Sequence, residues 1–158
     1  MLGGLIAAGS EFANRRGLYL GRRSTKLHVA VYRFSRGRVG NHIPGWPAAR
    51  IALVDHKGAR TGAQRTSPLM YQEEGSAIAV MASKAGQPTH PAWFHNLKAN
   101  PDTTAQIGPE LRRVRARVAE PEERDLLWRR FVAIYPGSEA YQRNAGDRQI
   151  PIVVLDPR

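Results

Sequence analysis

A chain of 158 residues, 17.5 kDa and 42% hydrophobic, is long enough for one domain with a real core and too apolar to be disordered. It has no cysteine, which excludes a disulfide scaffold, a thiolate zinc site, a cysteine nucleophile and an iron–sulfur cluster. The net charge of +11 sits at the front: residues 1–50 carry nine Lys/Arg against Glu11 alone, and residues 51–158 carry fifteen against twelve acids. Such a leader suits a polyanion, whether nucleic acid, an anionic membrane surface or an acidic ligand tail.

No apolar run reaches the roughly 18–20 residues of a membrane span. The stretch Met1–Ala8 is too short, and it precedes Arg15 and Arg16 instead of following them as in a signal peptide. Residues 24–36 have helical spacing, with Leu27, Val31 and Phe34 on one stripe and Lys26, Arg33, Arg36 and Arg38 supplying cations. Two readings stand: a helix packed on the domain with its arginines in water, or a basic amphipathic helix lying on an anionic bilayer. The turn-rich Gly40–Pro47 ends the leader, giving a basic, partly helical segment 1–48 and a folded domain 49–158.

From residue 50 the pattern becomes one of strands. Residues 50–55 form the first, a Gly58–Gly62 loop follows, and residues 64–72 form the second, with Pro68 requiring an edge or bulge. A hairpin turn at Gly75 leads to a third strand at 77–82. Pro91 opens a helix closed by Asn100-Pro101, with Trp93 and Leu97 on one face. A fourth strand lies at 103–107. In the fifth, Arg113, Arg115 and Arg117 alternate with Val114, Ala116 and Val118. Pro121 starts a helix with inner stripe Leu127, Phe131 and Ile134 that stops at Pro136, and the apolar run 150–155 is a strand buried on both faces. Six strands without βαβ alternation argue for a mainly β fold, an antiparallel barrel with appended helices.

The chain has no Gly-x-Ser-x-Gly elbow, Walker loop, His-Glu-x-x-His or dinucleotide glycine fingerprint. His90 and His95 are five apart with no carboxylate beside them, so no metal site is expected. What remains is an anion cradle. Lys57, Arg60 and Arg65 flank Gly58 and Gly62, with Thr61 and Thr66 as hydroxyl donors. Ser83-Lys84-Ala85-Gly86 is a second small basic loop, and Trp93 and Phe94 follow it. Each loop alone is more often just a solvated turn, because Gly, Ser and Lys are common turn residues. Together they suit a flat aromatic ligand with a phosphate tail.

Several strings, in order, resemble the deazaflavin (coenzyme F-420)-dependent nitroreductase and quinone reductase family. They are Gly58-Ala-Arg-Thr-Gly-Ala-Gln-Arg-Thr-Ser-Pro-Leu69, Met81-Ala-Ser-Lys-Ala-Gly86, His90-Pro-Ala-Trp-Phe-His-Asn-Leu-Lys-Ala-Asn-Pro101, Tyr135-Pro136, Tyr141-Gln142 and Asp147-Arg-Gln-Ile-Pro-Ile-Val-Val154. The resemblance implies a split β-barrel of the flavin-reductase (FMN-binding) type. It also implies an oxidoreductase that binds coenzyme F-420, an 8-hydroxy-5-deazaflavin with a phospholactyl-polyglutamate tail, and passes hydride to a quinone, nitro-compound or other electron-poor acceptor. It places Lys57, Arg60, Thr61, Gly62 and Arg65 at the phosphate and tail. Thr66, Ser67, Pro68, Leu69, Met81, Ala82, Ser83 and Lys84 fall along the deazaflavin, with Ala92, Trp93, Phe94, His95 and Asn96 on its other side. Tyr135, Tyr141 and Ser83 fall at the reacting atoms. Two departures matter: Ala59 stands where relatives often have a basic residue, and Ser138 where some have a third tyrosine.

The alternatives are an FMN enzyme of the same barrel, with FMN the less expected cofactor, and a non-catalytic deazaflavin or lipid carrier. Nucleic acid is not an expected partner, because the aromatics sit in helical stripes away from the basic leader. A cytoplasmic monomer is expected, peripheral on the inner face of the cell membrane where the leader binds lipid.

Overall fold

A computed structural model describes residues 22–158. The Met1–Ala8 stretch, Arg15 and Arg16 lie outside the described residues. In chain order the elements are α1 (Arg22–Phe34), β1 (His42–Ile43), β2 (Trp46–Lys57), β3 (Gln64–Glu74), β4 (Ala77–Met81), a 3-10 turn (Lys84–Gly86), α2 (Ala92–Ala99), β5 (Asp102–Ile107), β6 (Glu110–Val118), α3 (Pro121–Ile134), α4 (Ser138–Asn144) and β7 (Ile152–Pro157).

The strand order is β1-β2-β3-β4-β7-β6-β5, every pair antiparallel, and β2 also pairs with β5. That last pairing closes six strands into the expected barrel. Period-2 alternation sorts the side chains. Ala52, Val54, Ile78, Val80, Val153 and Leu155 join the barrel interior, and Trp93, Phe94 and Leu97 of α2 pack against them. Ile51 and Leu53 face outward under Tyr32 of α1. Ala77, Ala79, Met81, Ile152 and Val154 face outward under α3 and α4. β4 and the 152–155 part of β7 are therefore buried on both faces.

Two details differ from the sequence reading, and a third bears on what it left open. Residues 40–47 are more than a connector: β1 and the start of β2 form a small hairpin, with Ile43 opposite Trp46. A short helix, α4, follows Pro136-Gly137, where no apolar periodicity marks it. Leu27, Val31 and Phe34 do share a face of α1, but it is the outer one, 66%, 38% and 94% exposed. The docking residue is Tyr32, whose hydroxyl donates to Ile51 O (3.0 Å) and accepts from Gly108 N–H (2.9 Å).

Pro68 fits its expected edge. β3 pairs with β2 from Gln64 to Met70 but with β4 only from Tyr71 to Glu74. Residues 64–70 thus have no ladder partner among the described residues on their second side, and Thr66–Met70 are half-buried.

Candidate functional site

The end of the barrel is built from the loop after β2. Gly58 N–H donates to Ala63 O (2.8 Å) and Gly62 N–H to Gly58 O (2.9 Å). Gly62 has φ +68, which favours glycine, and a Cβ on Gly58 would lie 2.6 Å from Thr61 Oγ1, so a side chain there would push that hydroxyl aside. Lys57, Arg60 and Arg65 flank it. None of the three pairs with an acid among the described residues, whereas Arg33, Arg50, Arg115, Arg117 and Arg130 all do. An exposed loop with three cations that pair with no acid, and with glycines that let the backbone come close, has the chemistry to accept an anion.

A buried chain of hydrogen bonds holds this loop. Ala59 N–H donates to Asn96 Oδ1 (2.9 Å), Asn96 Nδ2 donates to His56 Nδ1 (2.9 Å), and His56 Nε2 lies 3.0 Å from Ser67 Oγ. Because Nδ1 accepts, the imidazole is neutral and its proton is on Nε2, directed at Ser67. Burial, and secondarily Arg65, lowers the His56 pKa to about 4, with Asp55 opposing. On the outer face, Thr66 Oγ1 and Arg33 Nη2 share Asp55 Oδ1, which ties α1 to the same stretch of β3.

The second loop leaves β4 at Ala82. Lys84, Ala85 and Gly86 have φ of +48, +51 and +76 in succession, a conformation costly for the two that are not glycine. A Cβ on Gly86 would come within 2.6 Å of Tyr141 O, so this loop abuts α4 directly. The Ser83 side chain is half-buried and forms no capping bond to the turn it begins.

The expected site residues fall into connected groups. Leu69, Ala82, Trp93 and Phe94 belong to the cluster at the barrel interior. Met81, Tyr135 and Tyr141 belong to the outer cluster, with Ala85 packed against it. The Met81–Ala82 peptide joins the two. Ala92 and His95 lie on the exposed face of α2, and His95 stacks near His90 and Phe94. The Tyr135 ring meets Trp46 edge-on at 5.4 Å and lies 6.3 Å from Tyr141. Ser138 is fully buried beside them, and its Oγ is the one buried side-chain polar atom without a hydrogen bond among the described residues. The arginine face of β6 is largely neutralised: Arg115 pairs with Asp102, and Arg117 with Glu123 and Asp156.

Sequence reasoning missed His56. Its signal was parity: Ala52, Val54 and His56 share the inward face of β2, so a polar residue there needs buried partners.

A family model described as F420H(2)-dependent quinone reductase matches residues 24–157. An F420H(2)-dependent quinone reductase of Mycobacterium tuberculosis is 37% identical over 142 residues, 89% of this chain and 94% of that protein. Among solved structures, an F420-H2 dependent reductase (FDR-A) is 40% identical with TM-score 0.62, covering 67% of this chain and 93% of its own. A structure described as a domain-swapped dimer is 34% identical with TM-score 0.64, covering 82% and 96%. A pyridoxamine 5'-phosphate oxidase-like structure from Listeria innocua, 10% identical with TM-score 0.50 over 68% of this chain and 83% of that one, shares the fold.

Proposed function

The chain belongs to the F420H(2)-dependent quinone reductase family, and from that premise we propose that it binds reduced coenzyme F-420 and delivers its hydride to a quinone or another electron-poor acceptor. The observation that carries this reading is the uncompensated Lys57, Arg60 and Arg65 around the Gly58–Gly62 turn, beside the open edge of β3. That donor set fits a ligand with a phosphate and carboxylate tail and a flat head laid along a strand. When bound, the cofactor supplies a two-electron hydride donor.

The chain's own residues then bind and orient. Arg60, Arg65 and Lys57, with Thr61 and Gly62, hold the anionic tail, and Lys57 substitutes for the cation missing at Ala59. Thr66, Ser67, Pro68 and Leu69 form one wall, with Met81, Ala82, Ser83 and Lys84 along the second loop. Ala92, Trp93, Phe94 and His95 close the far side, and Asn96 acts through the Ala59 amide. A quinone gains one hydride and one proton to become the hydroquinone. Its oxygen gathers negative charge as it does so, and on this reading the half-buried Ser83 hydroxyl and the Lys84 ammonium, which rests on Thr89 Oγ1, stabilise it. Tyr141 borders that space, and Tyr135, deeper beside Trp46, backs it. Ser138 leaves the acceptor space without a third phenol, which favours quinones over nitro-compounds.

A titration tests this: fluorescence quenching on adding oxidised F-420, with FMN in parallel, then reduction of menadione by F420H2. Micromolar binding of the deazaflavin and much weaker binding of FMN are expected. Equal binding of FMN would favour an FMN enzyme, and binding without turnover would favour a carrier.

The exposed Leu27, Val31 and Phe34, flanked by Arg22, Arg23, Lys26, Arg36 and Arg38, favour α1 as a contact with an anionic membrane surface. Among the described residues no helix is long and apolar enough to cross one. Phe34→Glu should abolish sedimentation with anionic vesicles and spare turnover of a soluble quinone. Deleting α1 is no substitute test, because Tyr32 leaves with it. The active unit is read as residues 49–158 with α1 as its anchor, and as a monomer, since helices cover the outer faces of β2, β4 and β7. Light scattering separates this from the swapped dimer of the relative.

A further inference from the structure

The Asp147-Arg148-Gln149 motif has no place in the cofactor cradle, yet Arg148 is among the most fully committed side chains in the molecule. Its Nε donates to Gln87 O (3.0 Å). Nη1 donates to Ala82 O (3.1 Å) and to His90 Nδ1 (3.1 Å). Nη2 donates to Ser83 O (2.7 Å) and Gln87 O (2.8 Å). All five N–H groups are used, across one loop, with no carboxylate partner among the described residues. Arg148 is itself fixed from the other side. Gln142 of α4 donates to Arg148 O (2.9 Å) and accepts from Ile150 N–H (3.0 Å), and Arg124 of α3 donates twice to Ile150 O.

We propose that Arg148 is a positioning residue for hydride transfer: it holds the Ser83–Gln87 wall in register with α4, which carries Tyr141, and so fixes the width of the acceptor space. The clamped loop is the one with three successive positive φ angles, and its Gly86 touches the Tyr141 backbone. Such a conformation persists only where its surroundings over-determine it. A guanidinium presenting five donors in a fixed fork does so, and a lysine ammonium with three mobile ones does not. The anion seat at 57–65 lies on a different loop and is held by a different network. Loosening Arg148 therefore separates transfer from tail binding. The proposal rests on the cofactor reading above.

The test compares the full chain with Arg148→Lys. In the free protein, amide hydrogen exchange at 83–87 is expected to quicken by about tenfold or more while exchange at 58–66 holds. The dissociation constant for oxidised F-420 should stay within about threefold and kcat with menadione should fall by about thirtyfold, as a misplaced reacting group predicts. His90→Phe keeps the ring packing against Phe94 and deletes one acceptor. It is the variant to use where Arg148→Lys does not fold, with the same split at about threefold in kcat. A kcat within about twofold of wild type despite faster exchange would make the tie structural only and overturn the proposal. A loss of F-420 affinity matching the loss of kcat would overturn it too, by making the clamp a device for holding the cofactor and not for positioning the acceptor. Failure of the wild type to bind F-420 would instead overturn the cofactor reading itself, and the proposal with it.

Discussion

Acidification should destabilise this protein through His56, which is 4% exposed inside the barrel mouth. Its folded-state pKa, about 4, lies below the unfolded value of 6.5. Below that unfolded value the unfolded chain takes up a proton that the folded chain refuses, so stability is full above it and drains as the pH falls toward 4. At about 1.4 kcal/mol per pH unit the shift corresponds to roughly 2–3 kcal/mol once solvent at the barrel mouth screens part of it. The structural cause is specific. Protonated Nδ1 would set an N–H against the N–H of Asn96 Nδ2, and turning the amide to relieve this strips Ala59 N–H of its acceptor. His90 shifts in the same direction, by burial first and then by Arg148, His95 and Lys98, and Glu110 and Glu123 lose their arginine-stabilised charges at lower pH. A single-residue control is therefore needed. In urea unfolding, wild type should lose stability steeply between about pH 6.5 and 4.5, and His56→Gln, whose amide does not titrate, should lose about 2 kcal/mol less over that interval. Identical pH slopes for the two proteins would refute the argument and mean that His56 accepts a proton in place.

Arg60→Ala and Arg65→Ala should each raise the dissociation constant for F-420 by about tenfold, more at low salt than at high, with kcat held within about twofold; a titration at two salt concentrations checks it. Tyr32→Phe deletes two hydrogen bonds that dock α1, one buried and one part-buried, and should cost about 1–2 kcal/mol, a fall of several degrees in the thermal midpoint. Ser83→Ala should lower kcat for quinone by about tenfold and, as the hydroxyl is one contact among many along the wall, move F-420 affinity by less than about threefold. Tyr135→Phe keeps the ring contacts with Trp46 and Tyr141 and should leave turnover within about threefold if the ring serves by packing; a larger loss in steady-state assays would put its phenol at the reacting atoms, as the family resemblance implies.

The barrel was legible because its strands obey one-residue rules. Val114 alternates with arginines on β6, and residues 150–155 are apolar without a break, so burial on one face or two follows from the sequence. The basic loop after β2 was legible for a related reason: three cations and two glycines within nine residues leave a local record. The outward stripe of α1 was legible as a stripe but not as to side. Leu27, Val31 and Phe34 satisfy helical spacing, yet the contact that docks the helix is a tyrosine hydroxyl reaching a β2 carbonyl and a loop amide. The same cause hid the parts that position the site. An ion pair leaves two opposite charges in a sequence for a reader to match. The Arg148 clamp and the Asn96–Ala59 link end on carbonyls and an amide that every residue has, so their partners have no letter. What can be read is the surplus: an arginine with no acid assigned to it, or a histidine on the inward face of a strand. Each implies buried acceptors somewhere in the fold, since an unsatisfied polar group there would cost several kcal/mol. In this molecule those surpluses lead to the two loops on which the proposed chemistry depends.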